Sequence, residues 1–152
     1  MANIIFQLVT PEKILLQKEL LSLSCPTEMG EITILPGHIS LIATLVPGEL
    51  RAKTSKDEFF IYVSGGFVEV RPGNEVVILA DSAQHHYEID EKEAVEAKAR
   101  AEKTMSEKQM SAEEYAKVAA TLQQSLAKLN IARKHAHRKQ SVTHEGIHET
   151  TD

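Results

Sequence analysis

A chain of 152 residues is the length of one ordinary domain, but its formal net charge of −5 is unevenly spread: residues 1–88 hold 6 Lys/Arg against 11 Asp/Glu, and residues 89–152 hold 11 against 11. The acidic first part argues against nucleic-acid binding there, because phosphate contacts need clustered cations. Cys25 is the single cysteine, which excludes an intrachain disulfide and fits a reducing compartment such as the cytoplasm. No apolar run reaches the ~18 residues of a membrane span.

Strand signals follow one another at short spacing from the beginning: Ile4–Val9, Ile14–Leu16, Leu20–Cys25, Ile32–Leu35, Leu41–Val46, Glu49–Lys53, Phe59–Ser64, Phe67–Arg71 and Glu75–Ala80. The segment before Lys13 has no basic stretch ahead of its apolar residues, so it does not read as a secretory leader. Pro11, Pro26, Gly30, Pro36-Gly37, Pro47-Gly48, Gly65-Gly66 and Pro72-Gly73-Asn74 separate most of the strands with residues suited to tight turns. The clearest hairpin is Phe67–Arg71, turn, Glu75–Leu79. Alternation puts Phe67, Glu69 and Arg71 on one face and Val68 and Val70 on the other, while the nearly continuous apolar run of the second arm predicts a more deeply buried strand. Many short strands with regular turns predict an antiparallel β-sandwich or barrel of about ten strands.

Near Tyr87 the apolar period lengthens from two to about 3.6, and the composition turns to Ala, Glu and Lys with no proline. Asp90 followed by Glu93 has the spacing of a capping box, and Ser111 followed by Glu114 repeats it. The first predicted helix shows Ala94, Ala97, Ala101 and Met105 on one stripe; the second shows Tyr115, Ala119, Leu122, Leu126 and Leu129. Joined by a linker near Ser106–Met110, they predict a two-helix antiparallel hairpin. The organisation expected is therefore a β-sandwich over 1–86, a helical hairpin over 87–139 and a disordered tail over 140–152. Few large residues line the stripes, so the hairpin buries little apolar area and is only marginally stable alone.

Signatures of catalysis are absent: there is no phosphate loop, no G-x-S-x-G elbow and no H-E-x-x-H. Ser64-Gly65-Gly66 reads as a strand-to-strand turn. His85-His86 are adjacent, His135 and His137 fall on different helix faces, and His144 with His148 lack a third ligand, so no metal is expected. The most distinctive charge feature is the helix end from Lys128 to Lys139, where Lys128, Arg133, Lys134, Arg138 and Lys139 occur without one Asp or Glu. The helix macrodipole favours cations there by about 0.3 to 1 kcal/mol, which accounts for one or two charges rather than five. An acidic protein surface is the leading partner for this end, and nucleic acid the alternative.

The run Gly30-Glu31-Ile32-Thr33-Ile34-Leu35-Pro36-Gly37-His38 followed by Pro47-Gly48-Glu49-Leu50 resembles the ε subunit family of bacterial F-type ATP synthase. So do Val63–Val70 through Leu79-Ala80-Asp81-Ser82-Ala83 and the Ala-rich hairpin, and together they cover about Met1 to Lys139. The resemblance implies a non-catalytic central-stalk subunit on the cytoplasmic face of the bacterial inner membrane, peripheral and held there only through the complex. Its sandwich would join the γ subunit to the c-ring for proton-driven ATP synthesis, and its hairpin would restrain ATP hydrolysis. It further implies that Glu31 contacts the c-ring, that His38 faces γ, and that Arg133, Lys134, Arg138 and Lys139 engage an acidic loop of β in the α/β headpiece. Some members bind ATP through Ile/Leu-Asp-x-x-Arg-Ala; here Ile89, Asp90, Glu93 and Ala94 stand in that stretch, with Glu93 in place of the Arg. A carboxylate there opposes phosphate, so weak or no ATP binding is expected, and no cofactor. The competing reading is a nucleic-acid-binding adaptor using the basic helix end; the family reading assigns no nucleic acid.

Overall fold

The computed structural model describes residues 2–107 and 109–136. It divides into two compact units, Met1–His85 and His86–Asp152. The first unit is built from β1 (Ile4–Val9), β2 (Ile14–Leu20), β3 (Ser22–Thr27), β4 (Gly30–Ile34), β5 (Leu41–Leu45), β6 (Gly48–Lys53), β7 (Glu58–Val63), β8 (Gly66–Arg71), β9 (Glu75–Ala80) and β10 (Ala83–His85). Neighbours run in the order β10-β7-β6-β3-β5-β8-β9-β1-β2, with β4 on β3. β3 meets β5 at one pair, Thr27 with Leu45, and there the sheet curls so that the apolar sides of its two halves close on a common core.

Alternation decides which residues enter that core. Ile4, Phe6 and Leu8 point inward from β1 and are buried, while Ile5 between them is exposed. Leu23 and Cys25 of β3, Leu50 and Ala52 of β6, Ile61 and Val63 of β7, Val68 and Val70 of β8, and Val76 and Ile78 of β9 join them in the interior. Each fully buried Leu or Ile contributes about 1.5–3 kcal/mol by leaving water, and this sets the stability of the unit. The core cluster takes no residue from beyond Ala83.

The layout of the strands departs from the sequence reading in three places. β2 continues through Gln17, Lys18 and Glu19, whose polarity suggests a break, because β2 is the last strand of the sheet and an edge strand tolerates polar side chains facing water. The short β10 pairs with β7 although its three residues carry no strand pattern. The sheet is also not wholly antiparallel: β1 runs parallel to β9, with Ile5 opposite Glu75 and Val9 opposite Leu79, while the other pairings are antiparallel.

Burial, and secondarily the charge of Glu31, pushes the Cys25 thiol from an ordinary 9.0 up to about 12. An acid whose folded pKa is raised favours the folded state while it stays protonated, so this contribution is complete below the unfolded pKa and is lost as pH climbs from about 9 towards 12. Unfolding titrations at pH 8 and pH 10.5 should show lower stability at the higher value, and Cys25→Ala should flatten that decline. The native thiol should also resist a disulfide reagent at pH 8 until denaturant is added.

The second unit is a short 3-10 turn (His86–Glu88), α1 (Glu91–Glu107) and α2 (Ala112–Lys134). Asp90 caps α1 by accepting the Glu93 N–H at 3.2 Å, and Ser111 caps α2 by accepting the Glu114 N–H at 3.2 Å. The helices pack on one another. Their contact face is less apolar than the spacing suggests: Tyr115 and Leu126 lie exposed, whereas Ser125, Leu129 and Ile131 are buried. Ser125 is accommodated because its hydroxyl donates to the Thr121 carbonyl at 2.9 Å, satisfying the group within its own helix. An open gap of about 200 Å³ remains along the seam, lined by Ala97, Arg100, Ala101, Thr104, Val118 and Thr121. Such packing forfeits the dispersion contacts that larger facing side chains would make.

Candidate functional site

The outward side of β5, β8, β9 and β1 carries the clearest surface feature of the first unit. Register aligns Ile42 with Glu69, Phe67 with Leu79, and Val9 with Leu79 across these strands. Ile5 is 55 % exposed, Ile42 71 %, Phe67 52 % and Leu79 47 %, on a side of the sheet that faces away from the core. Leu79 departs from the deep burial that the apolar run of β9 predicts; its neighbours Val76 and Ile78 point inward and it points out. Exposed apolar side chains grouped in this way make the face a candidate docking surface.

Glu69 and Arg71 sit on that same face, with the Arg71 guanidinium 3.1 Å from the Glu69 carboxylate. That hydrogen bond, and then the charge behind it, holds the Glu69 carboxyl below its ordinary range. Two paired charges among apolar side chains give orientation to a partner more than they give affinity. A broad groove of about 650 Å³ lies alongside, where Gln7, Gln17, Lys18, Glu19, Arg71 and Glu75 surround Ile5 and Val77. Its lining mixes the charges of Lys18, Glu19, Arg71 and Glu75 with apolar side chains, a combination suited to recognition.

Glu31 stands on β4 beside the tight β3–β4 turn. Thr27 closes that turn: its hydroxyl donates to the Gly30 carbonyl at 2.6 Å and accepts the Met29 N–H at 3.2 Å. Met29, at the tip, is 93 % exposed. The Glu31 carboxylate pairs with Arg51 of β6 at 3.0 Å, a partner that sequence spacing does not reveal because β4 and β6 meet only through β3. His38 lies in the loop before β5, its Nδ1 2.7 Å from the Ile39 carbonyl. Gly37 in the same loop donates its N–H to the Asn74 side chain at 2.7 Å.

In the helical unit, Ile89 is buried and Asp90 and Ala94 form the first turn, with the Ala94 N–H on the Asp90 carbonyl at 3.1 Å. Glu93 does not reach back to close the capping box; its carboxylate takes Arg100, two helical turns on, at 3.1 Å. The longer reach wins because a charged guanidinium is a stronger partner than a backbone N–H. Of the basic end, Arg133 pairs with Glu91 at the start of α1 at 3.2 Å, and Lys134 ends α2. Arg138, Lys139 and the stretch 140–152 lie outside the described residues. His135 caps α2 through its backbone N–H, and its ring lies 5.2 Å from that of His86. Among the described residues, no group of three or more His, Cys, Asp or Glu is placed to share a metal ion.

Comparison with known proteins follows the same division. Residues 3–86 match the family described as ATP synthase, Delta/Epsilon chain, beta-sandwich domain, and residues 88–133 match ATP synthase, Delta/Epsilon chain, long alpha-helix domain. The ATP synthase epsilon chain of Dehalococcoides mccartyi is 41% identical over 134 residues, covering 88% of this chain and 95% of the relative. That of Dichelobacter nodosus is 47% identical over 97 residues, covering 63% and 67%. In solved structures, the fold resembles a chain of the Euglena gracilis mitochondrial ATP synthase, OSCP/F1/c-ring, with TM-score 0.75, 23% identity and coverage of 84% of this chain and 79% of that one. A chain of the Tetrahymena thermophila mitochondrial ATP synthase central stalk/c-ring has TM-score 0.57, 17% identity and coverage of 86% and 94%.

Proposed function

The chain belongs to the ATP synthase delta/epsilon chain family as a non-catalytic epsilon subunit, and from that premise we propose that its sandwich joins the γ subunit to the c-ring while its hairpin restrains ATP hydrolysis. The observation that carries this reading is the exposed apolar face of β5, β8, β9 and β1, centred on Phe67 and Leu79. Exposed apolar side chains grouped on one face of a sheet favour a partner that covers them, and a central stalk supplies one. His38 borders the γ side of the contact. Glu31, at the exposed Met29 turn and braced by Arg51, is the c-ring contact.

The hairpin suits a switch because little holds it shut. Its seam is lined by small side chains at Ala97, Ala101 and Val118, and one tie across it is the exposed Arg133–Glu91 pair. Such a pair is worth about 0.2–1 kcal/mol, so an acidic surface on the β subunits can compete for Arg133 and its neighbours Lys134, Arg138 and Lys139. ATP does not serve as the clasp: Glu93 stands where a phosphate-binding cation is needed, and the nearby Arg100 is already engaged by it. The subunit sits peripherally at the cytoplasmic face of the inner membrane, held through the complex that couples proton flow to synthesis. Among the described residues, no helix is long and apolar enough to cross a membrane.

Phe67→Glu tests the docking face. Its side chain points away from the core, so the melting temperature should stay within a few degrees of wild type, while recovery of γ with the protein should fall at least about tenfold. Undiminished recovery of γ would remove the proposed role of this face.

A further inference from the structure

We propose that Asn74, a residue of the β8–β9 turn, is a positioning residue for the partner-binding face: it holds the loop before β5 in its binding conformation. The inference rests on the proposed docking of γ on that face. Leu35, Pro36, Gly37 and His38 form a turn closed by the His38 N–H on the Leu35 carbonyl at 3.1 Å. Proline in second place and Gly37 at φ +85 in third are the marks of a type II turn. In such a turn the N–H of the third residue has no partner within the turn. Here it donates to the Asn74 Oδ1 at 2.7 Å, across 37 positions of sequence.

Asn74 is suited to this task by its own backbone. Among the described residues it is the non-glycine residue with positive φ, +62, a conformation that Asn adopts more readily than other side chains. Its carbonyl accepts the Ile5 N–H at 2.8 Å. One residue therefore ties three segments: the β8–β9 turn, the start of β1 and the loop before β5. The loop it fixes bears Leu35 and Ile39, 55 % and 78 % exposed, and leads directly into Ile42, 71 % exposed. Apolar side chains on an untethered loop must be ordered when a partner binds, and that ordering reduces affinity; a loop already fixed avoids this loss. Asn74 itself does not belong to the apolar face and acts through what it holds.

The test uses the full-length chain and purified γ subunit as the probe, with affinity and hydrogen exchange of the Gly37 amide measured together. Asn74→Gly keeps the positive φ and the backbone carbonyl but removes the side-chain acceptor. It should speed exchange at Gly37 and weaken γ binding about fivefold to tenfold, the range expected for one neutral hydrogen bond. Asn74→Asp restores an acceptor at the same place and should recover both readouts. Ile78→Val, a core change that lowers stability without touching the loop, should leave γ affinity and Gly37 exchange at wild-type values. Wild-type affinity in Asn74→Gly, with Phe67→Glu still defective, would overturn the role of Asn74 and leave the docking reading standing. Wild-type affinity in Phe67→Glu would remove both. Weakened binding in Ile78→Val, or no recovery in Asn74→Asp, would reduce Asn74 to a residue that matters for stability alone.

Discussion

Deleting the chain from Glu88 onward should raise ATP hydrolysis by the assembled enzyme about tenfold at low salt while leaving incorporation of the subunit unchanged. The first part of this expectation comes from charge. Arg133, Lys134, Arg138 and Lys139 together, at about 0.2–1 kcal/mol for each exposed pair, give a latch of a few kcal/mol against an acidic surface, and 1.4 kcal/mol corresponds to a factor of ten. The second part comes from the core. The buried cluster of the sandwich ends at Ala83, so truncation leaves it whole. Added salt should raise hydrolysis by the full-length enzyme towards the truncated level and change the truncated enzyme little, because exposed pairs are screened within about 8–10 Å. Equal hydrolysis with and without the hairpin would dismiss the latch; loss of the subunit from the complex would mean that the anchor includes residues after Tyr87.

The largest effect on stability should come from Gly66→Ala. Gly66 has φ +131, and a Cβ placed on it would stand 1.9 Å from the Leu79 carbonyl oxygen and 3.0 Å from the Ala80 Cα. It also pairs with Leu45 on one side and Ala80 on the other, so strands hydrogen-bonded on both sides prevent the backbone from moving away. The cost should be about 4 kcal/mol or more, a large part of the roughly 5–15 kcal/mol that stabilises a domain. Gly73→Ala provides the comparison. Its φ is +85 but its Cβ would meet nothing within 4 Å, so only the left-handed penalty of about 1–2 kcal/mol applies. Urea unfolding of the two variants should separate these costs by at least about 2 kcal/mol. Similar midpoints would mean that the β8–β9 ladder yields more easily than its pairing implies.

The strands that pair inside the sheet were the legible part of the fold. Ile4–Val9 and Glu75–Ala80 coincide with β1 and β9 because apolar runs bounded by turn residues determine both. Edges were harder. Gln17, Lys18 and Glu19 are strand residues that only their place at the end of the sheet explains, and Ala83–His85 owes its strand to the β7 backbone rather than to its own side chains. In the hairpin, spacing identified two helices and their caps but placed Tyr115 and Leu126 on the contact face, whereas Ser125 and Ile131 lie inside. A stripe of small residues fits more than one rotation of the helix, and contacts select among them.

For the candidate site, motif resemblance proposed Glu31 and His38 but did not show what supports them. Arg51 reaches Glu31 across an intervening strand, and Asn74 reaches Gly37 from a turn far along the chain. Neither pairing has a spacing rule. The exposed apolar face was half visible. Alternation separates Phe67 from Val68 and Val70, but which side is the interior depends on the fold as a whole.

The parallel pairing of β1 with β9 also constrains how the protein is made. Ile5 leaves the ribosome early, yet its neighbour Glu75 is seventy positions later, and β1 is otherwise paired only with the edge strand β2. The β1–β2 hairpin therefore waits without its main support, at a synthesis rate of about 5–20 residues per second, until β9 emerges. The contacts within α1 and α2 are local and need no such delay. The strand unit is thus the slower part to assemble, and a chain stalled before Glu75 exposes the unpaired edge of β1 to whatever strand it meets first.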